Sequence, residues 1–243
     1  MKIKVLFISL LMTFTISSCD TLNSILETAT GTTGTGVLSN AQIVLGLKDA
    51  LKQGATEGSS IVSVTNGYFG NSLIKIPLPP EAEPIEKALK LIPGGQKLLN
   101  DAILSLNRAA EDAAKEAAPI FISAITSMSI GDGMDILFGN NDAATRYLER
   151  TTTSQLTAKF NPVIDNSLSK VGATQYWEDV METYNKIPFV KKVDPNLSSF
   201  VTTKALEGLF VMVEKEESKI RTNIGSRSTD IMKDVFGFYD ANK

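Results

Sequence analysis

Apolar residues recur three and four apart along most of the chain, and the polar punctuation between those runs predicts a succession of helices. The first begins after Ser39. Ser39-x-x-Gln42 forms a capping box, and Ile43, Leu47, Leu51 and Ala55 follow on one face. Beside that stripe, Gly46, Ala50, Gly54 and Gly58 advance in steps of four. A glycine inside a helix costs roughly 1 kcal/mol relative to alanine, so the row implies a neighbouring helix in close approach; the alternative is a helix broken at Gly54 or Gly58. The stretch NGYFGNSLIKIPLPPEAEP then interrupts the period. Asn66-Gly67 signals a turn, and the prolines of LIKIPLPP predict an extended crossover lying over the core rather than a central strand.

Pro84 opens a short helix, IEKALKLI, closed by Pro93-Gly94-Gly95. The best helical pattern runs from Gln96 to Ala118, with Leu99, Ile103, Leu106, Ala110, Ala113 and Ala117 in its stripe. Pro119 predicts a break there and the start of the next helix, PIFISAITSM. Ser129-x-x-Asp132 caps a short helix through Phe138, with Gly139 suited to a left-handed C′ position. Asn141 or Asp142 can start the following helix, Thr152-x-x-Gln155 reads as a further capping box, and Pro162 predicts a kink or restart. QYWEDVMETYNKI follows. After Asp194-Pro195 comes a long helix carrying Phe200, Leu206, Leu209, Phe210, Val213, Glu217 and Ile220, and TDIMKDVFGF closes the chain. Tyr68-Phe69-Gly70, Leu137-Phe138-Gly139 and Val235-Phe236-Gly237 read alike as an aromatic packed back before a glycine cap, not as an internal repeat. The fold class expected is all-α: one multi-helix domain over residues 38–240 with an irregular Pro-rich crossover.

The first residues belong to a different object. Lys2 and Lys4 form a positive n-region, VLFISLLMTFTI is a short apolar h-region, and ISSC ends on Cys19, the single cysteine. That order matches the lipobox of bacterial lipoproteins, so residues 1–18 are expected to be a signal peptide and Cys19 the lipidated residue. Residues 19–37, with ATGTTGTG, read as a flexible tether. The expected location is the bacterial cell envelope, lipid-anchored and facing the periplasm, on either the inner or the outer membrane. Two or more acyl chains make such an anchor stable.

Composition narrows the chemistry. The formal net charge is −3, and removal of Lys2 and Lys4 makes the mature chain two charges more acidic. Nucleic acid calls for a concentrated basic face, which is missing, so it is not an expected partner. The chain contains no histidine. Ser-His-Asp and Cys-His triads, HExxH zinc sites and imidazole bases are therefore excluded, and no metal or cofactor is expected. GTTGTG follows no strand, and no GxxxxGK[ST] loop occurs.

Several stretches together resemble a known family: LSNAQIVLGLKDALKQG, GYFGN, IKIPLP, LNRAAEDAA, IFISAI, NNDAATRYL, TSQLTAKF, ALEGLFVMVEKEESKIR and VFGF. They are similar to a family of bacterial exported proteins catalogued as a domain of unknown function, family 4197, over about residues 38–237. The resemblance implies a helical, exported or lipid-anchored protein, and brings no reaction or ligand with it. In SIGDGMDIL, Gly133 stands where alanine is expected, which implies a looser short helix.

Polar residues gather in three blocks. Asn107, Arg108 and Glu111 lie on the alanine-rich helix. Asp132, Asp142, Thr145, Arg146, Tyr147 and Thr151 surround the short helices. Glu217 and Arg221 lie one turn apart near the end of the long C-terminal helix. The structural expectation is a network of ion pairs and hydrogen bonds joining helix ends, with Asp142–Arg146 and Glu217–Arg221 as local pairs. The functional alternative is a polar pocket in which Arg108, Arg146 or Arg221 faces an anionic ligand. A carboxylate-dependent hydrolase would use Glu111 and Asp132. Tyr176 and Trp177 are read as core, and EKEESK at 214–219 as a solvated face. The function expected from these features is a non-enzymatic binding or accessory component of the envelope, with another envelope protein as partner. The second reading is a small-ligand binder or hydrolase at the polar cluster.

Overall fold

The computed structural model describes residues 38–242 apart from 187, 190, 191 and 195; the signal peptide, Cys19 and the tether lie outside the described residues. Nine α-helices and two 3-10 turns make up the described chain, with no strand among them. The helices are α1 (Asn40–Ser63), α2 (Glu83–Lys90), α3 (Gly95–Ala114), α4 (Ala117–Ser127), α5 (Ile130–Leu137), α6 (Ala143–Ser169), α7 (Ala173–Asn185), α8 (Leu197–Thr222) and α9 (Asp230–Ala241). The chain from Leu38 onward is all-α and forms one compact unit.

Helix α8 packs along both α1 and α6, while α3 packs mainly on α6 and also reaches α1 and α8. Helix α4 spans α1 and α6 from another side, and α9 lies against α1. The glycine row of α1 makes these approaches possible. A Cβ on Gly46 would lie 2.7 Å from the Ile231 carbonyl oxygen, and one on Gly58 would lie 3.1 Å from the Val213 backbone. The helix runs through Gly54 and Gly58 without a break. One contiguous core extends from Ile43 to Tyr239 and includes Phe121 against Phe210 at 5.8 Å between ring centroids. Residues 38–243 thus hold the core an independently folding unit needs.

Helix α6 is held by a row in steps of four: Leu148, Thr152, Leu156, Phe160, Ile164 and Leu168, all buried. This row overrides the expected start at Thr152, whose hydroxyl instead donates to the Leu148 carbonyl within the helix. It also carries the helix through Pro162 with no restart. The break before α4 comes at Lys115–Glu116 rather than at Pro119, which sits in the first turn of α4, where no intrahelical N–H is needed.

Three glycine expectations change. Gly139 does not adopt a left-handed conformation; it is required because a Cβ would meet the Asp135 carbonyl oxygen at 2.5 Å. Gly133 tightens α5 against α1 rather than loosening it, since a Cβ there would lie 2.6 Å from Val44 Cγ2. Gly237 lies inside α9 and caps nothing. Residues 75–79 form neither helix nor strand, as the prolines imply, and are tied to α3 through Asn107 before the 3-10 turn Pro80–Ala82 leads into α2.

Candidate functional site

The first polar block pins that crossover to α3. Asn107 is fully buried and pairs with Ile76 as a strand would: its Oδ1 accepts from the Ile76 N–H at 2.8 Å, and its Nδ2 donates to the Ile76 carbonyl at 2.8 Å. The same Nδ2 donates to the Ile103 carbonyl one turn back. Glu111, also buried, accepts from the backbone N–H groups of Tyr68 and Phe69, both at 3.1 Å, and pairs with Arg108. Arg108 uses its other terminal nitrogen on Asn66 Oδ1 at 2.8 Å. Tyr68 is enclosed, donates to the Ala205 carbonyl at 2.6 Å, and has its phenol pushed far above the usual range by burial and then by the Glu111 charge. Asn107 thus holds the crossover, and Glu111 and Arg108 hold the turn after α1.

The second block sits where α5 meets α6. Backbone N–H groups in a helix's first turn, and carbonyls in its last, lack partners within the helix. Asp142 occupies the N-cap position of α6, but its side chain makes no capping bond. Glu217, reaching across from α8, caps instead. Its carboxylate accepts from the N–H of Ala144 at 3.0 Å, the N–H of Thr145 at 2.8 Å and the Thr145 hydroxyl at 2.8 Å. Arg221, one turn further along α8, donates to the Ile136 carbonyl at 2.9 Å and the Leu137 carbonyl at 3.3 Å, at the end of α5. The two side chains pair at 2.9 Å and are only 6% and 4% exposed. The signs suit the helix dipoles: the carboxylate faces a positive N-terminus and the guanidinium a negative C-terminus. One ion pair therefore caps two helices that are not its own.

Of the remaining residues Tyr147 is buried, Asp132 and Asp142 are half-buried, and Arg146 and Thr151 are exposed. Asp132 closes the capping box of α5 with Ser129, whose hydroxyl and then N–H hold the carboxyl below the usual carboxylate range. Arg146 is 66% exposed and pairs with Asp142 at 3.0 Å and Glu149 at 3.2 Å. Tyr147 has its phenol raised by burial and by the Asp132 charge, with the Arg150 guanidinium 5.6 Å from its ring. Asp132, Asp135, Asp142, Arg146, Tyr147 and Arg150 line an open depression of about 350 Å³. Thr151 returns its hydroxyl to the Tyr147 carbonyl at 2.8 Å. Glu111 and Asp132 share no hydrogen-bond partner, and Glu111 is absent from the lining of the depression beside Asp132. Among the described residues, no buried side-chain nitrogen or oxygen lacks a partner.

Two buried charges escaped the sequence reading. Glu216, expected in a solvated run, is 7% exposed and sits beside Glu57 and Lys219. Arg227 is 4% exposed and donates to the carbonyls of Ile220 and Arg221 at 3.2 and 3.1 Å, closing the end of α8, while reaching Asp240 at 2.9 Å. An arginine just past a helix end is the signal that could have found it.

A different concavity is lined by no residue of the three blocks. A groove of about 500 Å³ opens between α2, the first half of α3 and the start of α7, with Leu78 and Leu197 at its sides. Its walls are almost wholly apolar: Ile85 and Leu89 from α2, Leu98, Leu99 and Ala102 from α3, and Val171, Tyr176 and Trp177 around α7. Asp101 and Ser105 are the polar members; the first pairs with Lys97 and the second donates to the Ala102 carbonyl. Tyr176, expected in the core, is 74% exposed, and Leu98 and Val171 are exposed too. Helix α2 buries none of its residues and packs chiefly on α3, so the groove has one wall fixed to little else.

These features describe a single all-α domain with buried charges at helix ends and an apolar groove beside α2. The chain belongs to the family described as protein of unknown function (DUF4197), whose model matches residues 37–237. Neither a curated protein nor a solved structure matches the chain.

Proposed function

We propose that this protein is a lipid-anchored, periplasm-facing component of the bacterial cell envelope that acts by binding rather than catalysis, and that its binding site is the apolar groove beside α2. The groove carries the proposal. Its volume of about 500 Å³ lies within the range of small-molecule sites, roughly 300–1,000 Å³. Exposed apolar side chains at its rim mark a surface that gains by being covered. The polar residues that looked chemical in the sequence are spent elsewhere: Glu111, Asn107, Glu217 and Arg221 are buried in mutually satisfied bonds. The lipobox at Cys19 supports the anchor, and an anchored binder of apolar groups would work next to the membrane that supplies them.

Trp177 is the single tryptophan of the chain and lines the groove, so its fluorescence reports occupancy. Burying about six methylenes at about 0.8 kcal/mol each gives sub-millimolar affinity for a simple alkyl chain. Titration of residues 38–243 with decanol should shift Trp177 emission and saturate. Leu98→Glu, at an exposed rim position, should abolish the shift, whereas Arg146→Ala should leave it unchanged. A non-saturating response, or one insensitive to Leu98→Glu, would refute the site. The anchor is tested separately: Cys19→Ala should eliminate fatty-acid labelling and leave an unprocessed precursor, and unchanged labelling would rule it out.

A further inference from the structure

We infer that the groove is one half of a composite site for a single-chain amphiphile with a cationic, ammonium-type head. This rests on the groove being a binding site and adds what the ligand must carry at its polar end. A second concavity of about 250 Å³ shares Trp177 with the groove, so one residue lines both spaces. The lining is also continuous along the chain on either side of that residue. Leu78 faces the groove and Pro79 the second space; Leu197 faces the groove and Asn196 the second space.

The second space differs in chemistry. Glu81 and Asp194 line it, together with Trp177, Phe200, Ser199 and Thr203. No lysine or arginine lines it among the described residues. Glu81, in the exposed 3-10 turn before α2, has no ion-pair or hydrogen-bond partner among the described residues. Asp194 uses one oxygen to accept from the Asn196 N–H at 2.9 Å, which orients the carboxylate. Two carboxylates beside two aromatic residues suit an ammonium, which carboxylate charge and ring quadrupoles both attract. The same pair repels a sulfate or phosphate monoester. The one carboxylate of the adjoining groove, Asp101, is already paired with Lys97, which orients the ligand: alkyl chain between α2 and α3, ammonium past Trp177.

Two surface carboxylates within reach of one cation contribute about tenfold in affinity at low salt. The test compares three probes sharing one alkyl chain on residues 38–243, read by Trp177 fluorescence at low ionic strength: decanol, decyltrimethylammonium and decyl sulfate, all below micelle formation. Decyltrimethylammonium should bind about tenfold more tightly than decanol, and decyl sulfate more weakly than either. The Glu81→Gln/Asp194→Asn double variant keeps the shapes and the Asn196 contact. It should bring the ammonium probe down to the decanol affinity while leaving decanol binding unchanged. Added salt should narrow the same gap in the parent protein. If decanol binds and the three heads are equivalent, or the sulfate is preferred, the cationic head is wrong and the groove stands. If decanol itself does not saturate, the groove reading fails and the composite site fails with it.

Discussion

The Glu217–Arg221 pair offers the sharpest prediction, because two accounts of it diverge in a double variant. Viewed as an isolated buried ion pair, it is replaceable: exchanging both partners for apolar residues of similar size is often neutral or stabilising. Viewed as a cap shared by two helices, it is not. Truncation of one partner leaves the other charge almost fully buried, at a cost of about 3–5 kcal/mol. That is a large part of a total stability on the order of 5–15 kcal/mol. In Glu217→Leu/Arg221→Met no charge is stranded, but the N–H groups of Ala144 and Thr145 and the carbonyls of Ile136 and Leu137 lose their partners. Unmade buried bonds cost about 1 kcal/mol or more each, only partly offset by the apolar replacements. The double variant should therefore remain destabilised by at least about 2 kcal/mol, close to either single change rather than to their sum. Urea unfolding of residues 38–243, followed by far-UV circular dichroism, measures this through midpoints at a common slope. Expected melting-temperature losses are roughly 2–4 °C per kcal/mol for a domain of this size. A double variant as stable as the parent, or single variants within about 1 kcal/mol of it, would refute the shared cap.

Other expectations follow from the packing and the charges. Gly46→Ala and Gly237→Ala are the same change inside helices with opposite signs: the first forces a Cβ to 2.7 Å from the Ile231 carbonyl oxygen, the second meets nothing within 4 Å. Thermal unfolding should show Gly46→Ala less stable by about 1–3 kcal/mol and Gly237→Ala more stable by up to about 1 kcal/mol. The Glu57 carboxyl is raised above its ordinary range by burial, then by the hydrogen bond and charge of Glu216, with Lys219 opposing. A raised carboxyl contributes stability below its unfolded value, and that contribution is lost as pH rises through its folded one. Glu57→Gln should therefore gain about 1–2 °C over the parent at neutral pH and less near about pH 4; an equal difference at both would contradict the assignment. Asn107→Ala should release the crossover, seen as faster amide exchange at Ile76 and a loss of about 2–4 kcal/mol; unchanged exchange would mean the prolines alone hold it.

Helix existence was legible because burial enforces the period: Ile43, Leu47, Leu51 and Ala55 are all buried on α1, and the glycine row beside them does meet α8 and α9. Helix boundaries were less so, since short-range cap signals compete with the longer row they sit in. Thr152-x-x-Gln155 has the composition of a cap, yet Thr152 belongs to the buried four-step row of α6 and spends its hydroxyl inside the helix. Proximity in sequence placed the N-cap of α6 at Asp142 but not the bonds that cap it. Asp142 is adjacent and suitable, but the bonds are made by Glu217, more than seventy residues away and visible only once α8 is laid across the α5–α6 junction. The groove was illegible for a similar reason. Its walls come from α2, α3, α7 and the crossover, and each wall contributes residues that look like ordinary helix stripes when taken alone.

The most direct test of where this protein binds is a chemical-shift map of residues 38–243, recorded by heteronuclear NMR during titration with decanol. Perturbations should concentrate on α2, the first half of α3 and the start of α7, around Ile85, Leu98 and Trp177, and should leave Glu111, Arg146, Glu217 and Arg221 unmoved. Shifts centred on those acids and arginines, with the groove silent, would contradict the claim that the charges hold helix ends and the apolar groove does the binding.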